Sequence, residues 1–366
     1  MTKTYKVPAI NTRQLCFLLA FLLPVGRLLE APRLFALSAK GDLLLPALLS
    51  MLVQALPVAA FLFLSSKTDK TLFQLVEDVL GKWAAKILYF LLTAYFLFAA
   101  VIPLLDAEKF SYAAFFDTAP TSFSFAPFFL LSGFLCTKNF KAVGRSADLC
   151  LFLFLIPLLG LLLMAVGTCD FSSLLPVVSQ PLPSSLQATL TTKPHFTDGA
   201  FLLPLIGCYK YEKGAAKKVA LAFGAGTLIT LLFLAVFYGV YTTLAAREHY
   251  AFAKIAQYFP ALSTIGRVDL ILVYLLSIVY LFYVCLPLQF AVDCFCKAVN
   301  LEKKGLYAAL LNIGAFFFVL FFNQRYDTIY ALFTRTLYPV FFFFCDVLPL
   351  LALLLLFSKK GRAGTR

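Results

Sequence analysis

Charge is scarce in this chain: Asp, Glu, Lys and Arg make up 13% of its 366 residues, about half the share usual in a soluble domain. A globular fold with a water-facing surface is thereby excluded. Histidine is nearly absent, with only His195 and His249, and no GxSxG, HExxH or phosphate-cradling loop occurs, so the sequence offers no catalytic constellation and is expected not to be an enzyme. The nine cysteines contain no CxxC; Cys294 and Cys296 stand one residue apart with no histidine close, so neither a zinc site nor a redox pair is indicated. No metal and no cofactor is expected. The N-terminus also lacks a small-residue cleavage site after its first apolar run, which reads as a retained helix.

What the chain has in abundance is apolar surface: 62% hydrophobic residues and a mean hydropathy of +0.90. Long apolar runs recur at about 12–38, 42–65, 83–105, 123–137, 146–167, 196–211, 216–244, 267–297, 305–322 and 337–357. Most are long enough to cross a bilayer as helices. They predict one all-α membrane domain of ten spans over 1–366. Of the 31 Lys and Arg, 21 fall in segments on the N-terminal side of the membrane and 10 in outer segments or within spans. That bias places both termini in the cytoplasm and accounts for the net charge of +13 without a nucleic-acid partner. Lys70 to Lys82 has Leu72, Phe73, Val76, Val79 and Leu80 at helical spacing opposite Gln74, Glu77 and Asp78, the pattern of an interfacial helix. The Pro-, Ser- and Thr-rich segment Thr168 to Pro194 reads as a loop over the outer mouth.

An internal echo points to a site. Phe21-Leu22-Leu23-Pro24-Val25-Gly26 in the first run is similar to Phe201-Leu202-Leu203-Pro204-Leu205-Ile206-Gly207 in the sixth. Five runs in each half (repeat one about 12–167, repeat two about 196–357) place the second copy in the opposite orientation, as in transporters built from inverted repeats. Proline removes a backbone donor and glycine tolerates non-helical angles, so both runs are expected to open. Opened half-helices present amide N–H groups and carbonyls to a small zwitterion; the alternative is a pair of packing kinks. Candidate ligand-binding residues are Pro24, Val25, Gly26, Arg27, Glu30, Thr197, Asp198, Gly199 and Pro204. Arg27 and Glu30, three apart, can pair with each other or meet a ligand or ion. Asp198 either holds a ligand ammonium or a proton, or is a solvated helix cap. Asp346 has no sequence-local partner, Arg335 standing a little over three turns earlier; Glu30, Asp198 and Asp346 are the candidates for ion coupling. Asp148 and Asp293 read as interfacial, and Asp106, Glu108 and Lys109 as the outer end of the third span.

The stretch Lys67 to Lys86, with Thr71, Leu72, Leu80, Gly81, Lys82, Trp83 and Lys86, resembles the TLxxxxxxxLGKWxGK block of the spore germination permease-like family. Ile10-Asn11-Thr12-Arg13-Gln14-Leu15, the Asp170 to Pro176 segment and Ile265-Gly266-Arg267-Val268-Asp269 are similar to further elements of that family. The resemblance implies the ten-helix fold of the amino acid-polyamine-organocation superfamily. It also implies an amino acid or other small nutrient bound where spans one and six unwind, beside spans three and eight. It further implies A-type and lipoprotein C-type partner subunits in the inner membrane of a spore, where nutrient binding triggers germination. Two departures stand out: Arg27 and Glu30 replace the family's glycine-rich stretch, and Thr197-Asp198-Gly199-Ala200 lacks the glutamate of its FGE-like element. An ion-coupled amino-acid transporter of the same fold is the other reading.

Overall fold

The computed structural model describes residues 10–39, 42, 44–115, 121–175, 181–257, 268–301 and 304–363. Its helices are α1 (Thr12–Phe17), α2 (Ala31–Ala39), α3 (Leu44–Lys67), α4 (Leu72–Leu80), α5 (Lys82–Phe115), α6 (Thr121–Cys136), α7 (Phe140–Val166) and α8 (Leu182–Thr191). In the second half come α9 (Asp198–Leu202), α10 (Ala215–Tyr241), α11 (Ala251–Gln257), α12 (Val268–Val299), α13 (Lys304–Phe322), α14 (Tyr326–Ala331), α15 (Tyr338–Phe342) and α16 (Leu348–Ala363). Helix α5 packs along α12, which also meets α7 and α6, and these elements form the centre of the bundle.

Seven helical segments are long and apolar enough to cross a bilayer, and eight if Thr12–Arg27 and Ala31–Ala39, bent by 59° at their junction, are one span. The ten-span reading is met in part. The fourth run forms the 16-residue α6, and the sixth is cut into α9 and a 3₁₀ turn, Leu203–Leu205, which leaves it without an uninterrupted helix of membrane length. Burial is arranged for lipid: large apolar side chains face outward, among them Leu130, Leu163 and Phe321, while Arg27, Glu30, Gln54, Asp198 and Asp346 are enclosed.

The segment over 70–82 folds as the short helix α4. The Thr71 hydroxyl accepts from Gln74 N, and the Gln74 amide accepts from Thr71 N at 3.0 Å, a reciprocal cap. Leu72, Leu75 and Val76 are buried, Leu80 is exposed, and Gly81 ends the helix at φ +92°. Nearby, Gly207 (φ +75°) lets the chain leaving the sixth run pass so close that a Cβ there would lie 2.5 Å from Thr71 N. Ile10 pairs alongside Tyr209, with Ile10 N donating to Cys208 O at 2.8 Å and Lys210 N to Ile10 O at 3.2 Å. At the other end of the bundle the expected outer loop contains α8, whose Thr189 hydroxyl bonds Pro46 O. Pro176 of that segment, the Ile265 to Arg267 stretch, and Lys3, Lys6, Lys40, Lys303 and Arg366 of the charge count lie outside the described residues.

Candidate functional site at the two helix breaks

Three prolines set the local geometry. Each follows a π-turn by two or three residues: Pro24 after Leu18–Leu22, Pro339 after Leu332–Thr336, and Pro349 after Phe343–Val347. A proline cannot return an N–H to the carbonyl four residues earlier, so the helix widens just before it, and such turns gather at functional sites. In the first run Leu23 N reaches back to Leu18 O at 2.9 Å, the chain tightens into a 3₁₀ turn at Pro24–Arg27, and residues 28–30 leave the helix. Around the third π-turn the carbonyl of Cys345, the one Pro349 cannot serve, faces α9. A Cβ on Gly199 would lie 1.9 Å from that oxygen and 2.8 Å from Pro57 Cβ, so only glycine fits.

The breaks place Arg27 and Asp198 against each other. Their side chains are 2% and 3% exposed, and Arg27 Nη2 bonds Asp198 Oδ2. The guanidinium also reaches Met51 Sδ at 3.2 Å and lies over the Phe196 ring, 4.8 Å from its centroid, while its Nε has no partner. The expected Arg27–Glu30 pairing is thus replaced. Residues 28–30 are not helical, so the three-residue spacing no longer sets a common face, and Glu30 turns to Arg33 at 3.9 Å, His249 at 3.4 Å and the Tyr250 amide at 3.1 Å. Asp198 is not a solvated cap either: Thr197 holds the cap position and Asp198 is the first, buried residue of α9.

Asp346 finds its partner far away in sequence. Lys193 Nζ lies 2.5 Å from Asp346 Oδ2, with both side chains enclosed, and Gln54 Nε2 donates to Asp346 Oδ1 at 3.1 Å. The same Gln54 accepts from Gly199 N at 3.1 Å and donates to Phe196 O at 2.9 Å, joining the Asp346 pair to the first turn of α9. From α12, the Tyr283 ring fills the place a Gly26 Cβ would take, 2.3 Å from its Cζ. From α5, Tyr95 meets Cys345 Sγ at 3.1 Å. Val25 and Pro204 are buried in the same region, and Pro24 packs beside Gly226.

The remaining carboxylates are structural neighbours of other cations and phenols. Asp293 is enclosed beside Lys304, whereas Asp148 is partly exposed and takes Arg13 and Gln14. At Asp106 and Glu108 the helix does not stop: α5 continues to Phe115, Asp106 accepts from Tyr326 at 2.7 Å and Glu108 from Asn323 at 2.8 Å. Among the described residues no three His, Cys, Asp or Glu converge as metal ligands would.

Sequence reasoning missed Gln54, Lys193 and Tyr283. Gln54 was legible as a lone amide in an apolar run; Lys193 was counted with the outer loop, and a tyrosine among 17 carries no signal. His195, in the 3₁₀ turn ahead of the sixth run, hydrogen-bonds Tyr330 at 3.1 Å, and burial pushes its imidazole down to about 4. Four cavities among the described residues, of about 360, 740, 410 and 460 Å³, are lined by residues other than the nine candidate ligand residues.

No curated protein matches the chain. The sequence model of a family described as spore germination protein matches residues 9–327, most of the chain. With its long apolar helices, this chain is an integral membrane protein that belongs to the spore germination protein family.

Proposed function

We propose that the chain is the permease-like subunit of a nutrient germinant receptor, and that a small zwitterion, an amino acid, binds by inserting between Arg27 and Asp198. The observation that carries this reading is the enclosed ion pair joining the two helix breaks. Removing one partner of such a pair strands a charge at a cost of about 3–5 kcal/mol. A ligand carboxylate on Arg27 together with a ligand ammonium on Asp198 leaves neither ion alone, whereas a ligand with a single charge strands one. Selectivity for zwitterions follows from that balance. Glycine at 26 and 199 lets Tyr283 and the Cys345 carbonyl close over the pair, so ligand entry must move those neighbours. Movement of α9 is transmitted through Gln54 to Asp346 and Lys193, which offers a route from ligand to signal.

The wider reading is a five-plus-five inverted repeat in the spore inner membrane with both termini cytoplasmic, acting with A-type and C-type subunits. Binding of L-alanine in the presence of excess propionate, its deaminated analogue, compared with binding of its amide, tests the site in purified protein: the zwitterion binds, propionate does not displace it from this site, and D198N and R27Q abolish that binding. Equal binding of the amide would refute it. A second reading, ion-coupled amino-acid transport with Glu30, Asp198 or Asp346 as the proton-linked group, is favoured by the tie between Asp346 and α9. Uptake into proteoliposomes that follows an imposed pH gradient supports it; absence of net flux favours the receptor.

A further inference from the structure

The largest of the four cavities, about 740 Å³, lies apart from the central pair, between α2, α8, α14 and the π-turn at Leu332–Thr336. Its volume falls in the range of small-molecule sites. Two arginines, Arg33 and Arg335, line it together with Asp327, and hydroxyls and an amide from Thr191, Thr334 and Gln187 complete a polar wall.

Both guanidiniums have donors to spare. Arg335 is exposed and, among the described residues, makes no hydrogen bond or ion pair. Arg33 Nε is buried without a partner, and its nearest carboxylate oxygen, on Glu30, is 3.9 Å away, beyond hydrogen-bond length. Each arginine carries five N–H donors in a planar fork that fits a carboxylate. Against these two cations the lining sets one carboxylate, Asp327, and Glu30 stands behind Arg33 at 3.9 Å, so Arg335 is the cation left without an ion pair among the described residues.

The cavity is also placed to matter. Its wall includes Tyr330, whose hydroxyl touches His195 Nε2 at 3.1 Å, and His195 stands two residues before Thr197, at the entry to the second break. Tyr330 and His195 therefore join the cavity to the chain that carries Asp198.

We propose that this cavity is a second binding site, for a small solute bearing a carboxylate, held by Arg33 and Arg335 independently of the central pair. It requires the carboxylate and not the ammonium, which distinguishes it from the Arg27–Asp198 site. The experiment is titration of the full-length protein in lipid nanodiscs, at low ionic strength, with the monocarboxylates lactate and propionate and with L-alanine. Lactate and propionate bind wild type, and R335Q weakens that binding on the order of tenfold or more, as loss of a charge-assisted contact does. R335K restores part of it, and D198N leaves it unchanged. Arg335 has no described partner, so its replacement leaves the fold intact; unaltered thermal unfolding of R335Q verifies this. Failure of both monocarboxylates to bind wild type, or equal binding to R335Q, overturns the proposal. Loss in D198N of the L-alanine binding that excess propionate does not displace, with intact lactate binding, separates the fate of the central site from that of this one.

Discussion

Because Arg27 and Asp198 are almost wholly enclosed, a double-mutant cycle at this pair gives a sharp energetic expectation. Arg27→Met leaves the enclosed Asp198 carboxylate without its cation, and Asp198→Leu leaves the guanidinium with only a thioether and a ring face. Each single replacement is expected to destabilise the protein by about 3–5 kcal/mol. The combined R27M/D198L protein carries no stranded charge, and replacing both ions of such a pair by apolar groups is often neutral or stabilising. Its loss should therefore fall short of the sum of the single losses by at least about 3 kcal/mol, well outside the ~0.5 kcal/mol within which independent sites add. Reversible unfolding in mixed micelles with increasing SDS, followed by far-UV circular dichroism, measures all four proteins. If the two single losses simply add, the side chains do not share a charge balance, and the zwitterion argument built on that balance fails with them.

Gly199→Ala places a methyl 1.9 Å from a backbone oxygen and 2.8 Å from a proline ring, neither of which can rotate away. It should cost several kcal/mol, of the order of severe overpacking, and lower the yield of folded protein in size-exclusion chromatography. Thr71→Ala removes the α4 cap and is expected to cost about 1 kcal/mol in the same SDS unfolding assay. The enclosed His195, held down to about 4 from its ordinary 6.5, stays neutral when folded but takes up a proton when unfolded. Its contribution to stability is therefore full above pH 6.5 and is lost as pH falls through 4. His195→Gln should flatten that part of the acid branch of thermal stability, and an unchanged acid branch would count against an enclosed neutral imidazole.

Much of the membrane architecture could be read directly from the chain, because lipid forces every long apolar run to satisfy its own backbone. The breaks at Pro24 and Pro204 were legible for the same reason: loss of a donor is a local property of the residue. Pair identities were not. Spacing suggested Arg27 with Glu30, but that rule holds only on a continuous helix, and the first break removes the helix between them. Asp346 and Lys193 are separated by more than 150 positions and meet only through the packing of α9 beneath the third π-turn. Gly199 was singled out as part of an opened helix; its actual constraint is an oxygen released by Pro349 in another segment, which no pattern within its own run contains.

The short pairing of Ile10 with Tyr209 has a mechanical consequence. Two backbone hydrogen bonds, at 2.8 and 3.2 Å, tie the chain entering the first broken helix to the chain leaving the second. At the opposite end stands the arginine-lined cavity. The molecule is thus latched on the side of its N-terminus and hollowed on the other. Any motion that separates the two broken helices at the latched end has to part those two bonds, whereas at the cavity end the first side chains met are Tyr330 and His195. The two ends are therefore held differently, and a disulfide joining positions 10 and 209 would fix the latched one.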